Sequence, residues 1–369
     1  MKGLVIWSHS YCRSTLAFYN GLGKSLACNA KIIVLKGLSE ARKKSGFDES
    51  EFHDLDINPY EGIESSFSIF DKFNNYLHIF GTYQSLESVR LISVAIKKGI
   101  LFGVCSEAPC NMSPYPKRIL KELYIRLILP IKVRNIIRHA AFIVNFSGDD
   151  AKSLTSIGWN ENKIIPCGYY SPALIGSKPV CRTKLHWKNF TILLTGIHEW
   201  HRSPMILLRA LHELDKRGVY YRCNVTQEGP MLEKMKRYAQ KNNMQNIFFW
   251  GFVPLHKLVD MYETCSVYVG TGNNEPWGMR LNDALQCGAP LIINRGMGGA
   301  KFVRDYDCGL LFDKNDFRCL ADCLENLIKN RDLYEYVSIK AYHAAKEICP
   351  NEVANKIAMK IQQLCDNKL

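Results

Sequence analysis

The chain has 369 residues, 47% hydrophobic and 22% charged, a balance that excludes a collagen, a disordered tail and a disulfide-stapled mini-protein. The 48 Lys and Arg against 35 Asp and Glu leave a net charge of +13, which bears on partners (nucleic acid, anionic lipid, phosphorylated small molecules) and not on fold. No run approaches the roughly 20 apolar residues of a spanning helix; the longest candidate, residues 123–146, is cut by Arg126, Lys132, Arg134 and Arg138. The opening MKGLVIWSHSYC has too short an apolar stretch for a secretory signal. At about 150 residues per domain, two domains are expected. Fourteen cysteines are scattered without a CxxC pair, and Cys319 with Cys323 has no second pair to complete a zinc site. They read as reduced intracellular thiols.

Residues 3–7 form an apolar run that opens a polar loop at 8–14. A helical stretch at 15–27 and an apolar run at 31–35 follow, the spacing of a βαβ unit. The pattern recurs with strands at 76–80 and 100–105 around a helix at 86–97. A strand at 141–146, a Ser-Gly-Asp-Asp turn and a helix at 151–157 come next. Pro166, Gly168, Pro172, Gly176 and Pro179 then give linker composition. After it the βαβ rhythm restarts, with strands at 191–195, 220–225, 247–250, 267–270 and 290–293. Helices are expected at 204–216 and 231–241, and again at 317–329, 333–347 and 352–365. Two doubly wound α/β domains with a cleft between them are expected, with ligands at the carboxyl ends of strands. There is no internal repeat, P-loop or nucleophile elbow, and Gly21 with Gly23 follows no strand, so it is no dinucleotide fingerprint.

The densest chemical signal is residues 273–299, NNEPWGMRLNDALQCGAPLIINRGMGG. Glu275 lies in a loop after a strand, Pro276 and Gly278 shape a turn, and a helix is expected over 279–287, stopped by Gly288 and Pro290. A helix start is an anion site. A nucleotide diphosphate resting there would bring Asp283, placed two turns into the helix, to a ribose hydroxyl and Glu275 to the transferred group.

Glu275, Pro276-Trp277-Gly278, Asp283-Ala284 and Cys287-Gly288-Ala289-Pro290 resemble the E-x7-E signature of retaining GT-B glycosyltransferases of family 4. Gly229-Pro230 resembles that family's G-x-G-P turn. Phe249-Trp250-Gly251-Phe252-Val253 with Leu258 and Tyr262 resembles its F-x-G-x-V segment and the helix after it. Gly296 to Gly299 and Gly309-Leu310-Leu311-Phe312 resemble its Gly-rich turn and G-x-L strand. Gly158, Lys163, Ile165-Pro166 and Gly168 resemble the end of its first domain. The likeness covers about 190–327 in order, while the N-terminal half matches only in rhythm. It implies an acceptor-binding Rossmann-like domain over 1–168, a nucleotide-sugar-binding one over 169–350, and a helix at 351–369 returning to the first.

The departures are specific. The family's second acid is usually Glu, and here it is Asp283. Its usual Arg after the glycine of the first C-terminal strand is Ile197, while the next cationic position is Arg202, able to hold phosphate bidentately. Arg280, in the first turn of the phosphate helix, reads either as a substitute cation for a bound anion or as an exposed surface arginine. With Gly278 and Met279, these complete the expected donor site. His198 and His201 read as solvated loop histidines. Acceptor contacts are expected from His9 and Arg13 in the first loop and from Glu107 after the strand ending at Cys105. Asp54-Leu55-Asp56 is a D-x-D string of the kind that holds manganese in other transferases, but its context is wrong and no metal or other cofactor is expected.

The resemblance implies sugar transfer from a nucleotide diphosphate sugar to a saccharide acceptor, lipid-linked in surface polysaccharide assembly (lipopolysaccharide, O-antigen or capsule). Retention of anomeric configuration would be expected. Alternatives are an inactive GT-B partner subunit and a nucleotide-sugar epimerase or hydrolase. Nucleic acid is not an expected partner, since no zinc-finger, helix-turn-helix or RNP pattern accompanies the charge. Residues 117–138 carry seven cations against Glu122 alone, interleaved with Ile, Leu and Tyr. That pattern suits an anionic membrane surface, so a cytoplasmic protein peripheral on the inner membrane face is expected.

Overall fold

The structure is a computed structural model and describes residues 2–38, 43, 55–113, 116–174, 176–182, 189–273, 275–313 and 315–366. The chain divides into two compact units. One comprises Met1–Asn111, Tyr115–Pro172 and Cys349–Leu369, the other Met112–Pro114 and Ala173–Ile348.

Among the described residues the first unit holds a seven-stranded sheet ordered β3-β2-β1-β4-β5-β6-β7, every pairing parallel. Its strands are β1 (Leu4–Ser8), β2 (Ala30–Val34), β3 (Ile57–Pro59), β4 (Leu77–Phe80), β5 (Phe102–Ser106), β6 (Ile143–Asn145) and β7 (Ile164–Pro166). β1, β4 and β5 are buried along their whole length, as strands covered by helices on both faces must be. Trp7 anchors this core, its ring stacked on Phe70 at 5.0 Å and Phe80 at 6.1 Å. The helix Ile63–Lys72 that supplies Phe70, like β3 and β7, is not signalled by the periodicity of the sequence. The last helix, Pro350–Asp366, packs on the first, Arg13–Ser25.

The second unit holds six parallel strands among the described residues, ordered β10-β9-β8-β11-β12-β13. They are β8 (Thr191–Thr195), β9 (Arg222–Thr226), β10 (Ile247–Gly251), β11 (Val267–Gly270), β12 (Leu291–Asn294) and β13 (Gly309–Phe312). Leu207, Leu211 and Leu214 of the helix Pro204–Lys216 pack with Val225, Val267 and Val269 in its core. Strand order reverses between β8 and β11, the topological switch point at which such sheets bind ligands. The doubly wound α/β expectation is borne out in both units. The fourteen cysteines are free thiols, and Cys105, Cys223, Cys265 and Cys287 are buried.

Candidate active site

β8 runs out at the switch point into Gly196, whose φ of +121° is costly for any other residue. A Cβ there would stand 2.9 Å from Arg202 Nη1 and 3.9 Å from Arg280 Cγ, so the two arginines flank the strand end. Arg202 closes a 3₁₀ turn, Trp200–Arg202. This turn is laced to the loop leaving β11: Thr271 Oγ1 donates to the Arg202 carbonyl at 2.7 Å and Asn273 N to that of His201 at 3.0 Å. The lacing brings Arg202 Nε to 3.7 Å from Glu275 Oε1. Glu275 and Trp277 are held from behind by the Gly-rich turn, with Gly298 N donating to the Glu275 carbonyl at 3.1 Å and Gly299 N to that of Trp277 at 3.0 Å. Trp277 is buried edge-on against Phe302, 5.2 Å between centroids. Gly278 turns the chain with φ +94° beneath Met297, whose Cε would meet a Cβ at 2.5 Å.

The helix that follows is Arg280–Gln286, with Met279 as its N-cap. Asp283 stands in its first turn, not two turns in as the sequence reading has it: even from Met279, four residues amount to about one turn. Arg280 Nη1 donates to Asp283 Oδ2 at 3.1 Å, the two side chains only 25% and 9% exposed. This (i, i+3) pairing is the local feature that sequence reasoning missed. It binds the two candidates to each other and turns Arg280 into the edge beside Gly196. Of the N–H groups at the helix start, those of Leu281 and Asn282 already donate to the Gly278 and Met279 carbonyls at 2.9 and 3.1 Å. Side-chain cations are thus the larger resource for an anion here.

Several buried polar atoms on this edge make no hydrogen bond: Arg202 Nε, Thr195 Oγ1, Thr226 Oγ1, Asn273 Oδ1 and Asn282 Oδ1. Such atoms are costly when dry and unpaired, and a polar ligand would satisfy them. His198 is not the solvated residue the sequence suggests. It is buried, Nε2 donates to the Thr226 carbonyl at 2.9 Å, and burial lowers its pKa to about 4. Neutral His198 is a strut joining the exits of β8 and β9. His201 is partly buried, with Nδ1 3.2 Å from Glu199 Oε2. Ile197 is 53% exposed.

In the first unit, His9 follows β1, Arg13 opens the first helix and Glu107 follows β5, all on the carboxyl edge of that sheet. Glu107 lies beside Tyr169, whose hydroxyl is held protonated by burial first and by the carboxylate second. Asp54 lies outside the described residues. Asp56 accepts from Asn58 Nδ2 at 2.8 Å and stands 3.8 Å from Lys31 Nζ. Among the described residues, no three His, Cys, Asp or Glu are grouped as a metal site.

These features define a doubly wound α/β protein with charged pairs at the switch point of its second domain. The fold is GT-B, two Rossmann-like domains. HepE of Anabaena, solved with UDP, superposes with a TM-score of 0.73 at 14% identity, covering 98% of this chain and 100% of HepE. The lipopolysaccharide outer core galactosyltransferase WaaB superposes with a TM-score of 0.62 at 13% identity, covering 100% of both chains. Residues 183–344 match the family model Glycosyl transferases group 1. An uncharacterized glycosyltransferase of Methanocaldococcus jannaschii is 27% identical over 141 residues, 38% of this chain and 39% of that protein. The chain thus spans about two fifths of the length of the first curated relatives it matches.

Proposed function

We propose that the chain is a retaining GT-B glycosyltransferase of family 4. It would move a hexosyl or N-acetylhexosaminyl group from a nucleotide diphosphate sugar to a saccharide acceptor. The observation that carries this reading is the meeting of Arg202, Glu275, Arg280 and Asp283 at the switch point of a domain that matches the group 1 glycosyltransferase model. The UDP held by HepE makes uridine a first choice of base. The name of WaaB supports a lipopolysaccharide or related surface-polysaccharide context.

As the nucleotide diphosphate departs, negative charge grows on its bridging and terminal oxygens. Arg280, fixed by Asp283 before the donor arrives, and Arg202, exchanging its long pair with Glu275 for a phosphate oxygen, meet that charge. Arg202 Nε has hydrogen-bonding capacity left for a phosphate oxygen, its ion pair with Glu275 being long at 3.7 Å. The sugar gains oxocarbenium character, and Glu275, released from Arg202 by the phosphate, orients its hydroxyls and offsets that charge. Asp283 positions Arg280. With two guanidinium groups in this role, the reaction needs no metal. The acceptor is read by the first domain, with His9, Arg13 and Glu107 as its contacts.

The test is a panel of nucleotide diphosphate sugars scored for a raised unfolding midpoint and for transfer. A donor at a hundred times its Kd should add about 2.7 kcal/mol of stability, with transfer unchanged in EDTA. Donor turnover without an acceptor would make the chain a hydrolase or epimerase. Binding without turnover would make it an inactive partner subunit, and EDTA-sensitive transfer restored by manganese would return attention to Asp54 and Asp56.

A further inference from the structure

Residues 117–139 form one nearly continuous helical rod in the first unit: a helix Lys117–Leu123, a π turn Tyr124–Ile128 and a helix Leu129–His139. The sequence mixes apolar and basic residues along this rod, and the structure sorts the apolar ones into two sets. Leu129, Val133, Ile136 and Ile137 point inward and belong to the core around Trp7. Ile119, Leu120, Leu123, Leu127, Ile128 and Ile131 point outward, each between 47% and 76% exposed. They make up six of the exposed large hydrophobic residues of the chain and fall within thirteen consecutive positions.

A contiguous apolar face on a soluble domain marks an interaction surface. The charges around it decide what kind. Lys117, Arg118, Lys121, Arg126, Lys132, Arg134 and Arg138 lie on the same rod, with Glu122 as its one acid. Arg126 is paired with that acid at 2.8 Å, and Lys132 sits 5.3 Å over the ring of Tyr124. A second copy of this chain would bring seven cations against seven, which like-charge repulsion opposes. An anionic bilayer complements both features: its headgroups take the cations, and its acyl boundary takes the leucine and isoleucine side chains. Among the described residues no helix is long and apolar enough to cross a membrane, so contact through this rod is interfacial.

We propose that the outward face of residues 117–139 docks the protein on an anionic membrane, the cations on phosphate headgroups and the six apolar side chains below them. The docking stands on exposure and charge alone and does not depend on the glycosyl-transfer reading.

Co-sedimentation of the full chain with vesicles of phosphatidylcholine, with and without phosphatidylglycerol, tests it. At least tenfold stronger binding to the anionic vesicles is expected. Raising salt should weaken this binding without abolishing it, since screening removes the headgroup part and leaves the apolar part. Two variants separate the contributions, and all their substituted residues are exposed, so both should unfold like the parent. Lys117→Ser/Arg118→Ser/Lys121→Ser/Arg134→Ser should lose the preference for anionic lipid. Leu120→Ser/Leu127→Ser/Ile131→Ser should retain only binding that salt removes completely. Equal binding to both vesicle types, absence of binding, or variants that bind like the parent would overturn the proposal. So would a lipid-free dimer that the apolar variant converts to monomer, which would make the occupant a second copy.

Discussion

At the amino edge of the second sheet, Arg182 is fully buried, with no carboxylate partner among the described bonds. Its Nε donates to the Cys265 carbonyl at 2.7 Å, Nη1 to those of Val180 and Cys287 at 2.8 Å each, and Nη2 to that of Tyr262. Three of these carbonyls end the helices Leu255–Thr264 and Arg280–Gln286, so the guanidinium sits where the negative ends of two helix dipoles meet. At the carboxyl edge of the same sheet, Arg202 and Arg280 are paired with carboxylates, and the atoms around them include several unmatched donors and acceptors. One edge spends a buried cation on closing the domain. The other keeps its cations beside acids that a ligand can displace or share. A buried arginine is thus no sign of a site by itself; what it is bonded to decides.

The comparison is broken most severely at Arg182. Arg182→Ala would remove the guanidinium's hydrogen bonds to four carbonyls, of which that of Cys287 keeps the Val180 N–H, at about 1 kcal/mol or more each. A loss of about 4 to 5 kcal/mol in denaturant unfolding is expected, with unchanged nucleotide affinity in the fraction still folded. Arg182→Met keeps the stem and should recover only the packing share. If Arg182→Ala weakened donor binding and left stability alone, the two edges would not differ as described.

Little of this amino edge is legible in the sequence. Pro172, Gly176 and Pro179 give the segment linker composition, yet Val180 N donates to the Cys287 carbonyl at 3.0 Å and Arg182 is locked in place. Its partners are backbone carbonyls, which leave no residue signature. The carboxyl edge is legible because its parts are local: Glu275, the Pro-Trp-Gly turn and the helix lie within a dozen residues. Even there, the (i, i+3) spacing puts Arg280 and Asp283 on one face of the helix, while the burial that makes them partners comes from the surrounding strands and is not written in the local sequence. The burial of His198 leaves no mark in the sequence because its partner, the Thr226 carbonyl, is again backbone from a distant strand.

The largest effect at the carboxyl edge is expected from Glu275→Gln. The amide keeps the shape and loses the charge that would face the developing oxocarbenium. Transfer should fall about 10³-fold, roughly 4 kcal/mol on the barrier. Stability should move by less than about 0.5 kcal/mol, since the pair with Arg202 is long and partly exposed. Steady-state rates beside unfolding curves check this. Near-normal turnover would remove the catalytic assignment, and a large stability loss would make Glu275 structural like Arg182.

Acid should loosen the carboxyl edge through His198. Its folded pKa of about 4 lies below the ordinary 6.5 because burial disfavours the charged ring. The unfolded chain therefore binds a proton first as pH falls. The stability contributed by neutral His198 is complete above about pH 6.5 and is lost as pH drops toward 4, by an order of 3 kcal/mol. His78 in the first unit, also lowered to about 4 by burial, has the same sign, so the two must be separated. His198→Gln should flatten the slope of unfolding free energy between pH 6.5 and 4, leaving the shares of His78 and of His201, whose pKa burial also lowers. An unchanged slope would mean that His198 does not hold the edge.

The smallest expected effect is also the one that best separates a site cation from a structural one. Arg280→Lys keeps a positive charge beside Asp283, so the buried carboxylate is not abandoned and the fold should survive. A lysine ammonium lacks the planar fork that lets one guanidinium serve a carboxylate and a phosphate together. Nucleoside diphosphate affinity should fall about tenfold, or 1.4 kcal/mol, while affinity for the unphosphorylated nucleoside stays the same. Ile197 offers a rescue. It is 53% exposed and occupies the position where the resembled family usually carries Arg. Ile197→Arg in the Arg280→Lys background should restore much of the lost diphosphate affinity if Arg280 has taken over the absent cation's work. Calorimetric titration with diphosphate and nucleoside reads both effects. Equal loss for the two ligands, or no rescue, would mean that Arg280 acts on this edge as Arg182 does on the other, by holding the protein together.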